Sequence, residues 1–185
     1  KVHNYKIMEN FELQKADYST SWIENLAFEE LNMEEAGVVN FNEHLSPQSF
    51  LEEESIQFMS KLRDLFELYS GKFNECRGGP DSGAQIKIFK ISNTVNDFML
   101  FRNSLRLIFS RKSANLITIS LLVNGKDLYA PRMPGQVDSN SNSSHEICAH
   151  VGPFNKIKWT FQGEEVAIPA MVRHYLVEFI KNSAR

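Results

Sequence analysis

The period at which apolar residues recur changes near Gln85, and no single class of secondary structure accommodates both halves of the chain. Before that point apolar side chains return every three to four positions, as on one face of a helix. Beyond it they return every two, as on one face of a strand, until a last helical stretch near the C-terminus. Charge divides at the same place: residues 1–85 hold 16 Asp/Glu against 7 Lys/Arg, and residues 86–185 hold 7 against 13. The acidic helical segment, 1–85, is expected to pack on the same core as the basic segment, 86–185, in one domain overall. Unlike charges on the two parts favour contact within the chain or between chains.

Two helices are expected in the acidic part. Ser21, with Glu24 three residues on, resembles a capping box, and Trp22, Ile23, Leu26 and Ala27 follow at helical spacing, so a helix over 21–35 ends at Gly37. Ser46-Pro47 opens a longer helix to about Asn74, with Glu52, Glu53 and Glu54 near its positive end and a stripe of Phe58, Met59, Leu62, Leu65, Phe66 and Tyr69. Residues 77–83, with four glycines or prolines, read as a linker. They are not a phosphate cradle, which needs a strand before it and a helix after it.

Candidate strands then cover 86–92, 97–103, 105–110, 116–123, 126–130, 145–151 and 156–162, and Asn124-Gly125 marks a tight hairpin. Ile117, Ile119, Leu121 and Val123 share one face of the fourth strand, so one side of the sheet is core and the other wet. The polar stretch 131–144 reads as a long loop. Pro169 begins a closing helix with Met171, Val172, Tyr175, Leu176, Phe179 and Ile180 on one face. The fold class is therefore α+β: N-terminal helices, then a curved antiparallel sheet of six or seven strands closed by a C-terminal amphipathic helix. In element order alone, strands ended by one helix are similar to pleckstrin-homology-like barrels.

With 185 residues and 14 Phe, the chain has material for one sizeable core. A formal charge of −3 disfavours a dedicated nucleic-acid binder. No run of apolar residues is long enough for a membrane span. Cys76 and Cys148 are too few for a disulfide framework and read as two separate thiols. Because the chain starts at Lys1, a preceding targeting segment is left open, and a cytoplasmic location is the default expectation.

Three surfaces compete as functional sites. The first is a basic sheet face built on Lys87, Arg102, Arg106 and Lys158, interleaved with aromatics, which suits a protein partner or self-association through unlike charges better than nucleic acid. This makes the chain a non-catalytic binding or regulatory module with no cofactor. The second is a small-ligand pocket between the sheet and the C-terminal helix, lined by Trp159, Phe161, Phe98 and Phe101. The third is a metal-dependent activity centred on 146–150, where a strand would set Glu146, Cys148 and His150 in a row. Such a row spaces its members by about 7 Å, wide for ligands of one ion.

Overall fold

The computed structural model describes residues 20–37, 46–79, 83–129 and 145–184. By its internal contacts the chain divides into residues 1–43 and 44–185. In the first unit, helix α1 (Ser21–Ala36) has no buried residue, and Trp22, Phe28 and Leu31 are exposed. Its N-cap is Thr20 rather than Ser21. The Thr20 hydroxyl donates to the Glu24 carboxylate at 2.8 Å, so the capping signal is displaced by one residue. Gly37, at φ 70°, closes the helix in the left-handed conformation that glycine adopts without steric cost.

The second unit begins with helix α2 (Pro47–Cys76). Pro47 occupies its first turn, where a missing N–H costs nothing, and Ser46 Oγ accepts from the Gln48 amide at 3.3 Å. Phe58, Met59, Leu62 and Phe66 form its buried stripe, whereas Leu65 is half-buried and Tyr69 exposed. Glu52, Glu53 and Glu54 fall in the second turn, too far in for a first-turn dipole contact. Strands β1 (Lys87–Lys90), β2 (Phe98–Arg102), β3 (Leu105–Ser113), β4 (Leu116–Val123), β5 (Lys126–Asp127), β6 (His145–Val151), β7 (Ile157–Phe161) and β8 (Glu164–Glu165) follow, and helix α3 (Ile168–Ser183) ends the fold.

All pairings are antiparallel, in the order β1-β2-β3-β4-β6-β7-β8, with β5 paired to β4 beside β6. The sheet is open, with β1 and β8 as its edges, so the likeness to a closed barrel stops at element order. Two-residue turns explain much of this register. Asn103-Ser104, Asn124-Gly125 and Gln162-Gly163 each have positive φ at both positions, the twist that fits a two-residue hairpin. The last of these creates β8, a two-residue strand too short for any alternation to reveal. The expected loop 131–144, Ala130 at the end of an expected strand, and linker residues 80–82 lie outside the described residues.

Helices α2 and α3 both contribute to the core that covers the inner face of the sheet. Phe98 and Phe109, cross-strand partners, stack at 5.0 Å, Phe66 from α2 packs on both, and Tyr175 from α3 meets Phe109 edge-on at 5.8 Å. Farther along, Phe58 of α2 stacks on Trp159 of β7 at 4.5 Å. Such pairs add about 0.5–1.5 kcal/mol each beyond the burial of their area. Both cysteines are free, Cys76 exposed and Cys148 half-buried. Among the described residues, no helix is long and apolar enough to cross a membrane.

Arg102 corrects one expectation directly. Alternation along β2 buries Phe98, Leu100 and Arg102 together, and Arg102 is only 3% exposed. Its guanidinium donates to Ala84 O at 2.8 Å and Ser183 Oγ at 3.1 Å and lies over the Phe73 ring, tying the entry to β1, the end of α2 and the end of α3 together. Arg102 is thus a structural clasp and not part of a basic surface. Arg102→Ala is expected to lower stability by about 2–3 kcal/mol, because buried acceptors lose charged donors, whereas exposed Arg106→Ala shifts it by no more than about 0.5 kcal/mol. Urea unfolding of the two variants checks this contrast.

Candidate functional site

The two faces of the sheet offer two different surfaces. On the outer face, register aligns Lys87, Phe101, Arg106 and Leu122 in one row, and Phe89, Met99, Ile108 and Ser120 in the next. Within residues 44–185 the helical side chains of the core, Phe66 and Tyr175 among them, pack on the opposite face. Phe89 is 43% exposed, and Met99, Phe101, Ile108 and Leu122 are half-buried by their own neighbours. Lys87 and Arg106 are exposed and form no ion pair among the described residues. The outcome is an apolar patch with a cationic rim.

Lys158 stands apart on the same face at the far side of the sheet, 3.7 Å from the Glu165 carboxylate. Arg111, another cation of the basic segment, is turned to α2, where its Nε donates to Ser55 Oγ at 2.7 Å and a terminal nitrogen pairs with Glu52. Of the cations chosen from the sequence, the structure therefore brings only Lys87 and Arg106 together.

The four aromatics expected to share a pocket do not share one. Phe98 is sealed in the core beneath Phe66, Phe101 faces outward, and Trp159 is covered by Phe58. Phe161 alone lines a cleft. Glu146, Cys148 and His150 do share one face of β6, as the alternation requires, and that face is the outer one, on a strand flanked by β4 and β7. His150 Nε2 lies 3.1 Å from Thr160 Oγ1. Among the described residues, no group of three or more His, Cys, Asp or Glu is gathered as metal ligands.

The inner face holds a cluster that sequence reasoning missed. His145, at the start of β6, stacks on Tyr129 with ring centres 4.0 Å apart and planes 4° from parallel. Its Nδ1 shares a 2.8 Å hydrogen bond with Tyr175 Oη, and Phe161 meets its ring edge-on at 5.5 Å. Tyr129 Oη donates to Glu178 Oε2 at 2.6 Å, and His174 Nε2 stands 3.6 Å from the same oxygen. Asp127 positions Tyr129, since its Oδ1 accepts from the amides of both Tyr129 and Leu121. The cluster backs onto a cleft of about 360 Å³, lined by Phe161, Val166 and Met171 together with His145 and Tyr175, with Glu164, Glu165 and His174 at its margin.

Burial sets the protonation of these groups. Both tyrosine hydroxyls are held protonated, their pKa raised first by desolvation, and for Tyr129 also by its hydrogen bond to Glu178. His145 is held below the ordinary imidazole value, chiefly by burial, with the Glu178 carboxylate opposing and His174 reinforcing. Its ring is therefore neutral at pH 7, a hydrogen-bonding group and not a cation. A scan against protein-family models and searches of curated proteins and of solved structures find no match to this chain.

The depressed pKa of His145 fixes the sign of a pH effect. The unfolded chain takes up this proton at a higher pH than the folded one does, so the stability held by the neutral ring is complete above about pH 6.5 and is lost as pH falls through and below that value. The neighbours of the ring among the described residues include Tyr129, Tyr175 and Phe161, with Asp127, Glu178 and the exposed His174 acting on its charge. The urea midpoint is expected to drop between pH 7.5 and pH 5.5. His145→Gln, which stays neutral throughout, is expected to flatten that drop; an unchanged slope in the variant contradicts the assignment.

Proposed function

We propose that the chain is a non-catalytic binding module whose contact surface is the outer face of β1–β4. The observation that carries this reading is the patch itself. Phe89, Met99, Phe101 and Ile108 form an apolar surface, with Leu122 on the far side of Arg106, and the charges of Lys87 and Arg106 find no carboxylate among the described residues. On an ordinary wet sheet face these positions would be Thr, Ser, Lys or Glu. Apolar contact and the attraction of unlike charges both supply affinity there, neither sufficient alone, and the cations also select an acidic partner and speed its approach.

The occupant favoured is the acidic helical surface of a second copy. Residues 1–85 carry 16 acidic against 7 basic side chains, complementary to the sheet segment. Helix α1 turns Glu24, Glu30, Glu34 and Glu35 to solvent together with Trp22 and Phe28, and α2 does so with Glu67 and Leu68. A contact between unlike patches is heterologous, so association is expected to be concentration-dependent and graded. Light scattering on a sizing column is expected to show oligomers near 50 mM salt and monomers near 500 mM, where screening shortens to a few ångströms. Lys87→Glu combined with Arg106→Glu is expected to be monomeric at both salts and folded. A wild-type monomer indifferent to salt contradicts the reading.

A further inference from the structure

The cleft behind His145 lies on the opposite face of the sheet from the proposed contact surface and is not absorbed by it. Its walls divide by chemistry. Phe161, Val166, Ala167, Ala170 and Met171 are apolar, and at about 360 Å³ the space stands at the small end of ligand-sized pockets. Two polar groups, His145 and Tyr175, are fixed at its back by their mutual 2.8 Å hydrogen bond and by the stack on Tyr129. Ring orientation is thus settled before any ligand arrives, which lowers the cost of binding.

Charge decides what such a space accepts. Among the described residues no lysine or arginine lines it, whereas Glu164, Glu165 and His174 do, and Glu164 forms no ion pair among the described residues. Glu165 is engaged with Lys158 across the strand at 3.7 Å, leaving Glu164 as the carboxylate open to a ligand. The first turn of α3 presents a partial positive charge to the same cleft, equivalent to about half an elementary charge. The full charge of the Glu164 carboxylate, four residues ahead of the helix, outweighs it. Glu178, behind Tyr129, adds to the negative potential but is already engaged by Tyr129 and His174. An anionic ligand would meet these carboxylates with no lysine or arginine among the described lining residues to offset them, and with His174 already beside Glu178. A cationic one meets a carboxylate beside a wall of apolar side chains that can take the rest of the molecule.

From the cleft's shape, its apolar wall and its carboxylate rim, we propose that it binds a small organic amine with an aromatic or branched apolar body, the body against Phe161, Val166 and Met171 and the ammonium group at Glu164. A hydroxyl or carbonyl on the body would reach the His145–Tyr175 pair. This site is independent of the outer sheet face, and the two readings can fail separately.

Calorimetric titration of the full chain with tyramine tests it, set against 4-ethylphenol as the neutral counterpart and 4-hydroxyphenylpropionate as the acidic one. Tyramine is expected to bind saturably, the neutral compound about tenfold more weakly, and the acid without measurable heat. Glu164→Gln, at an exposed position, is expected to weaken tyramine by about threefold, as for a partly solvated ion pair, and to leave the neutral compound unchanged. Ala170→Trp, which fills the cleft, is expected to abolish binding of both. The outer-face variant Arg106→Glu is expected to bind tyramine like the parent. No saturable binding at millimolar tyramine, equal binding of the acid, or binding that survives Ala170→Trp overturns the proposal.

Discussion

The aromatic seam formed by Phe66, Phe98, Phe109 and Tyr175 is the contact on which the rest of this fold depends. It joins the β2–β3 hairpin to α2 and α3, helices far from it in sequence, through rings that are each almost wholly buried. Because the two strands contribute cross-strand partners, a shift of one residue in the β2–β3 register would put Phe98 and Phe109 on opposite faces and take one of them away from the helices. The Asn103-Ser104 turn prevents that shift by fixing the hairpin at two residues. Arg102 then draws the ends of the helices to the strand through the Phe73 ring and Ser183, and holds the entry to β1 through the Ala84 carbonyl.

Once the seam has committed both helices of this unit to one face, no described element of the same unit is packed on the other. That single asymmetry generates both candidate surfaces. Outward, the sheet keeps aromatic and aliphatic residues where solvent alone would select polar ones. Inward, the helices cannot close over the β6–β8 edge, and the gap where α3 starts becomes a cleft walled by Phe161 and Met171 and backed by a neutral imidazole. Tyr129 and Glu178 hold that imidazole in place from two other elements, so the cluster is a product of tertiary packing and has no local motif.

Much of the architecture was legible in the sequence. Period 2 located β4 and β6 to the residue, and the Ser46-Pro47 start placed α2. The sites were less legible, for a reason visible at Arg102. Grouping cations by type put it beside Arg106, although its parity with Phe98 and Leu100 already directed it inward; a long stem lets an arginine cross the core edge and place its charge among carbonyls. Phe101, of opposite parity, was assigned to a pocket for the same reason. In the segment from His145 to His150, alternation separates two sets of residues. The metal reading followed the set with Cys148, whereas the neighbours that matter are those of His145, and Tyr129, Tyr175 and Glu178 lie in elements whose approach no spacing announces.

Hydroxyl-radical footprinting read by mass spectrometry tests the asymmetry of the sheet most directly, since β2 carries both faces in five residues. Met99 and Phe101 are expected to be oxidised in dilute protein at high salt while Phe98 remains silent, and the outer pair is expected to become protected as concentration rises at low salt. Equal labelling of Phe98 and Phe101, or outer residues protected under every condition, would contradict a fold with one sealed face and one open one.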